Sequence, residues 1–428
     1  MATKRLRLGG LAAGVTAAAL LLGGVLTDPQ EAGTVRATSG IAATGGALLP
    51  QLQQQVRANP SDVVGLGLLG LAYQQRARLT GDPSYYTKSE DVLRRALHYA
   101  PDDLVATGGL GALALSRHRF REALALGRRA VALSPSTAQG HGVLGDALVE
   151  LGRYREAFAA FDRMASLKPG LSSYARVSYA RELLGDLLGA ETAMRLAIDA
   201  AGGAPESLAW SHTQLGKLFW SQGRAAAAER EYRTALAVRP AYVYAFDGLA
   251  QVEAARGRFR RAAAYEGRAA ETMPLPQFVA ALGDLQRLAG RERAARRQYA
   301  LIGAIKRLLN ANGVRTDLET ALFDVDHAVR LPHALELARS ARAERPSIDA
   351  DDVLSWALAR NGRCTEALHY SKRALRLGTR DALKFFHRGM VERCLGKPTD
   401  AKMWFRRALA LNPHFSLLWS PVARRYAA

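Results

Sequence analysis

Residues 210–240 read WSHTQLGKLFWSQGRAAAAEREYRTALAVRP, and this stretch decides the fold. Leu215, Gly216, Phe219 and Trp220 lie on one short helical segment, and Gly223 turns the chain. Ala228, Tyr232 and Ala235 follow at spacings of four and three, and Pro240 stops the second segment. An apolar stripe, a breaker and a second stripe predict two amphipathic helices joined by a tight turn.

The pattern recurs on both sides. One period further on stand Phe246, Leu249, Gly257, Ala262, Ala269 and Pro274. Upstream it gives Leu144, Gly145, Gly152, Ala157, Phe161 and Pro169, and before them Leu110, Gly111, Ala123, Ala130 and Pro135. The last unit holds Gly389, Gly396, Ala401, Phe405, Ala408 and Pro413. A fixed period of this length is the signature of a helical solenoid. Small residues such as Gly216 and Ala228 let two helices approach, and Phe161, Tyr232 and Phe405 fill the space beside them. A single hairpin cannot bury its apolar face, so neighbours stack, and the expected body is an elongated superhelix.

These positions resemble the tetratricopeptide repeat family, in which L-G-x-x-Y, a glycine, A-x-x-x-F-x-x-A and a proline follow in order. The resemblance implies an all-α, right-handed α-solenoid of about ten helix-turn-helix repeats over 61–413, of a bacterial type with an N-terminal membrane anchor or signal. A short capping helix is expected over 48–60 and a C-terminal cap over 414–428. The first unit carries an insertion around Arg78–Ser84, read as a surface loop. The seventh unit runs long, to Asn310-Ala-Asn312-Gly313, and the eighth is degenerate, which predicts irregular packing around Asn310–Thr316.

Composition agrees with helices: aromatic residues make up only 7% of the 428, and Ala, Leu, Arg and Gly dominate. The formal net charge of +20 describes either a solvated helix surface or a surface that attracts anionic partners. At the N-terminus, residues 1–7 contain Lys4, Arg5 and Arg7, and residues 8–26 carry no charge. That run suits a transmembrane anchor with the repeats outside the cytoplasm, or a signal peptide whose removal leaves a secreted or periplasmic protein. No Cys follows the run, which excludes a lipoprotein anchor. Residues 27–47 read as a flexible linker.

In the resembling family, partners lie in the concave groove lined by first helices. The corresponding positions here are Tyr179, Trp210, Thr213, Lys217, Trp220, Tyr244, Asp247, Gln251 and Trp356, joined by Glu182, Asp349 and Asp352. Exposed aromatics among a few polar groups suit an extended protein or peptide partner; the alternative is that some of them pack between repeats. The family's carboxylate clamp needs Lys at the fifth position of a unit, where this chain has Gly67, Gly108, Gly142, Thr213 and Asp247. A second reading rests on an Arg-rich ridge, Arg256, Arg258, Arg260, Arg261, Arg293 and Arg297, able to meet anionic polymer or lipid headgroups. Export would forbid nucleic acid as a partner. Cys364 and Cys394 are expected at neighbouring helix ends, where they form either a disulfide or two separate thiols. Asp324, Asp326 and His327 read as polar residues at a helix end rather than as metal ligands. No nucleophile elbow, phosphate loop, dinucleotide fingerprint or zinc spacing appears, so no enzyme activity and no cofactor is expected.

Overall fold

A computed structural model describes residues 48–428. The expectations for 1–7, 8–26 and 27–47 fall outside the described residues. Among those described, no helix is long and apolar enough to cross a membrane. They form twenty-two helices and no strand. After α1 (Leu48–Ala58) come ten hairpins: α2 (Val63–Thr80) with α3 (Ser84–Tyr99), α4 (Leu104–Ser116) with α5 (Phe120–Leu133), α6 (Ala138–Glu150) with α7 (Tyr154–Leu167), α8 (Leu171–Leu183) with α9 (Leu187–Asp199), and α10 (Pro205–Ser221) with α11 (Ala225–Val238). Then follow α12 (Val243–Ala255) with α13 (Phe259–Thr272), α14 (Pro276–Leu288) with α15 (Glu292–Ala311), α16 (Asp317–Asp326) with α17 (Leu331–Glu344), α18 (Ile348–Arg360) with α19 (Cys364–Ala374), and α20 (Ala382–Cys394) with α21 (Pro398–Leu411). The last helix is α22 (Trp419–Ala427). The chain is an all-α solenoid.

Each hairpin is set by size. Tyr232 is fully buried between α10 and α12, and a Cβ on Gly216 or Gly248 would stand 2.5 or 2.4 Å from its ring. The same small-against-large packing joins Gly145 to Phe161 and Gly389 to Phe405. Helix starts are fixed by side-chain caps, with Asp62, Asp103, Asp186, Ser347 and Asp381 accepting from backbone N–H groups of the first turn.

The turns of the superhelix touch: five successive hairpin turns meet inter-hairpin loops of the next superhelical turn. At the first, Gly81 lies against Met273. At the second, the Arg315 N–H donates to the Arg117 carbonyl at 3.1 Å, and His118 Nδ1 lies 2.8 Å from the Arg315 carbonyl. At the third, Tyr154 Oη accepts from the Ile348 N–H at 2.7 Å, and Arg345 donates to Glu150 at 2.6 Å and Glu319 at 3.0 Å. At the fourth, Thr379 Oγ1 donates to the Leu183 carbonyl. At the fifth, Asn412 Nδ2 donates to the Trp220 carbonyl at 2.7 Å. Leaving aside Arg345–Glu319, which lie within one turn, the hydrogen-bonded partners are 192 to 198 residues apart. The equal offset is what a regular superhelix requires when one turn touches the next.

The irregular region lies where the sequence places it. α15 is 20 residues long, Gly313 turns at φ 77°, and α16 has only 10 residues. The insertion at Arg78–Ser84 behaves differently from expectation: it faces the interior and forms the first of the five contacts, because Gly81 admits the Met273 side chain.

Candidate functional site

Stacked turns convert the concave groove into a roofed interior. First helices of the fourth, fifth and sixth hairpins (α8, α10 and α12) form one wall of a 420 Å³ cavity, and α18, α20 and the segment before α22 close over it. Six of the positions read from sequence line this cavity: Tyr179, Lys217, Trp220, Tyr244, Asp247 and Gln251. Glu182 and Asp349 line it too.

Three of the expected groove residues do not. Trp210 is 5% exposed and packs with Ala175, Ala209 and Ala245, whose small side chains draw α8, α10 and α12 together at that level. Thr213 is fully buried and returns its hydroxyl to the Ala209 carbonyl at 2.8 Å. Trp356 is fully buried, donates to Asp326 Oδ1 at 2.8 Å and stacks on His387 at 4.8 Å. Asp352 is held in the same core by His387 at 2.9 Å. Asp326 also accepts from Trp419 Nε1 at 2.9 Å, so its carboxylate ties α16, α18 and α22 together.

The cavity is electrostatically mixed. Lys384, from the roof, sits 2.7 Å from Asp349 and 2.9 Å from Asp381, and these partners raise its pKa against the opposing effect of burial. Burial, with Asp381 and Asp349 nearby, pushes Glu182 up to about 7 despite Lys384 and Lys217. Burial lowers Lys217, whose ammonium lies 5.6 Å from the Tyr244 ring centroid. Burial likewise raises Asp247, which accepts from Gln251 at 3.1 Å. The wall therefore offers aromatic faces, a neutral-to-anionic carboxyl at physiological pH, and weakly compensated charges with spare hydrogen-bonding capacity.

Glu266 was not singled out. It lines the cavity, is 1% exposed, leaves Oε1 without a partner, and is driven well above the carboxylate range by burial and by Asp247. The signal was present, because Glu266 follows Ala262 by four residues, where Phe161, Tyr232 and Phe405 stand in other hairpins. A carboxyl at an aromatic position leaves ring-sized space unfilled.

The ridge residues are exposed, yet Arg256, Arg258 and Arg261 converge on Glu253 at 3.0, 3.5 and 3.5 Å. Arg260, Arg293 and Arg297 project into solvent. Cys364 and Cys394 are disulfide-bonded with a Cα separation of 5.4 Å, joining α19 to α20.

The tetratricopeptide-repeat profile matches residues 84–138, 109–172 and 213–276. No curated protein matches the chain in sequence. Similar solved structures include a human IFIT1 dimer with PPP-AAAA, at 13% identity over 86% of this chain and 95% of that one, TM-score 0.45. A tetratricopeptide repeat protein of Parabacteroides merdae matches at 15% identity over 57% and 98%, TM-score 0.40. YrrB, described as a TPR protein with an unusual peptide-binding site, matches at 17% over 44% and 94%, TM-score 0.29. The periodic small-against-large packing and the matched profile agree: residues 84–172 and 213–276 carry tetratricopeptide repeats, within an all-α solenoid.

Proposed function

We propose that this chain is a non-catalytic interaction scaffold that holds an extended segment of a protein partner in the roofed interior between α8, α10, α12 and α20. The observation that carries the reading is the convergence of Tyr179, Trp220 and Tyr244 with Glu182, Lys217 and Asp247 on one cavity. Aromatic faces grip side chains, and the polar groups satisfy the backbone of an extended peptide. A location at the cell envelope, by anchor or after export, fits both the uncharged run at 8–26 and the Cys364–Cys394 bond, since disulfides persist in oxidising compartments. The reading through the Arg-rich ridge is weaker, because half of those guanidiniums share one glutamate.

A photo-crosslinking amino acid at Trp220 and, separately, at Leu188, which is 75% exposed, tests the site in cells. A discrete protein adduct at 220 that is absent at 188 and lost in a Lys217→Glu background is expected. Equal adducts at both positions, or none at 220, would overturn the interior as the site. Adducts that vanish at high salt and with charge reversal at Arg260 and Arg293 would instead favour the ridge.

A further inference from the structure

A second cavity of 590 Å³ lies between the first and second inter-turn contacts, bounded by the end of α2, by α14 and α15, and by α16. Its size falls in the range of small-molecule pockets. Most of the wall is hydrocarbon, including Leu275, Ile302, Leu309, Val314, Leu322 and Phe323. Its polar groups are poorly satisfied. Arg78 Nε, His118 Nε2, Glu319 Oε2 and Asp324 Oδ2 are buried without a hydrogen-bond partner, and Asp324 as a whole is only 5% exposed. Buried polar atoms without partners are rare and each calls for an explanation.

Backbone strain gathers at the same place. The positive-φ non-glycine residues among the described residues are His118 (56°), Ala328 (54°) and Arg330 (43°). His118 and Arg330 line the cavity, and Ala328 sits between its lining residues His327 and Val329. His118 and Ala328 hold the hairpin-turn position that is a positive-φ glycine in other hairpins, such as Gly152 and Gly185, so side chains are carried there at a conformational cost.

The charges select the ligand. Arg287 is engaged by Asp284 at 3.2 Å and Glu319 by Arg345 at 3.0 Å. Among the remaining lining charges Arg78, Lys306 and Arg330 outnumber Asp82 and Asp324 by one, Asp82 and Arg330 being exposed. Arg78 is the notable member. Burial lowers its pKa against the opposing field of Glu206, which itself lies 3.9 Å from Arg239, and Tyr86 and Tyr244 line the cavity with it. An apolar chamber walled at one point by a half-buried guanidinium, its buried Nε without a partner and no carboxylate in ion-pair contact, fits an amphiphile with a single anionic head.

We propose that this cavity binds a long-chain carboxylate, its head group paired with Arg78 and its tail against Leu275, Ile302, Leu322 and Phe323. The chamber adjoins the peptide-holding interior, sharing Tyr244 and Gln277 with it, but its head-group pairing at Arg78 does not rest on that reading. Because its walls come from both superhelical turns, an occupant would bridge the first hairpin to the seventh and eighth.

Delipidated full-length protein titrated with dodecanoate and with dodecanol, below their aggregation thresholds, tests the site by calorimetry and native mass spectrometry. The acid should bind one-to-one and at least roughly tenfold tighter than the alcohol, as expected for a charge-assisted pair. Arg78→Gln should erase that difference while Arg78→Lys keeps most of it, and Leu322→Trp should abolish both by filling the chamber. Equal binding of acid and alcohol to the unmodified protein, no saturable binding, or acid binding indifferent to Arg78→Gln and Leu322→Trp would each overturn the proposal. The acid–alcohol comparison and Arg78→Lys decide the matter even where Arg78→Gln does not fold.

Discussion

Glu182 shows how much of the interior chemistry depends on one side chain. Folded, it stays protonated up to about pH 7; unfolded, it ionises near 4.5. Between those values the unfolded chain binds fewer protons, so stability falls as pH rises through the window. Glu150, Asp247 and Glu266 are raised as well and act in the same direction, whereas Glu229, lowered to about 2 by Arg256, changes only in acid. Glu182→Gln is neutral at every pH and should remove about 1–2 kcal/mol of the decline between pH ~5 and pH ~8, the figure being reduced for solvent reaching a half-buried carboxyl. Melting midpoints across that range test it, and an unchanged pH slope in the variant would show that Glu182 is already ionised in the folded chain.

At the scale of elements, the repeats make stability a matter between neighbours. The Cys364–Cys394 bond closes a loop spanning a sequence separation of 30, for which chain entropy gives about 3–4 kcal/mol. In a solenoid that loss should be felt locally. Cys364→Ser with Cys394→Ser should speed amide exchange in α18–α22 and at their inter-turn partners near Leu183 and Trp220, leaving α4–α7 protected. Uniformly faster exchange along the chain would mean that the molecule unfolds as one unit. The helices themselves were legible in sequence down to the long α15 and the degenerate eighth hairpin, because apolar spacing, glycine turns and proline stops act over a few residues. Trp210 and Trp356 were less legible. A groove stripe and a packing stripe share the same helical period, and what separates them is how closely the neighbouring helices approach, which Ala175, Ala209 and Ala245 decide around Trp210.

For the whole molecule the decisive feature is the row of contacts between superhelical turns. Gly185 and Gly257 both turn a hairpin at positive φ, 77° and 73°. A Cβ at 185 would stand 2.6 Å from the Gly378 carbonyl oxygen of the next turn, whereas one at 257 meets nothing within 4 Å. Both alanine substitutions carry the left-handed penalty of roughly 1–2 kcal/mol. Only Gly185→Ala must also push the turns apart, at a further ~1–3 kcal/mol. Its radius of gyration in X-ray solution scattering should rise while that of Gly257→Ala does not; identical behaviour of the two would show that the turns are not held against each other in solution.

The sequence by itself determined the helices, the hairpins, their number and the small-against-large pairs that join them, since each rests on residues within one or two repeats. It also placed Cys364 and Cys394 at neighbouring helix ends, because adjacent helices pack antiparallel, and left their bonding to the structure. The tertiary structure alone decided that the superhelix closes upon itself. Small rotations accumulate from hairpin to hairpin, and whether the sum brings residue 183 against 379 is encoded at no single position. That closure turned an open groove into a roofed interior, brought Lys384 over Glu182, and set Arg78 of the first hairpin beside the seventh and eighth.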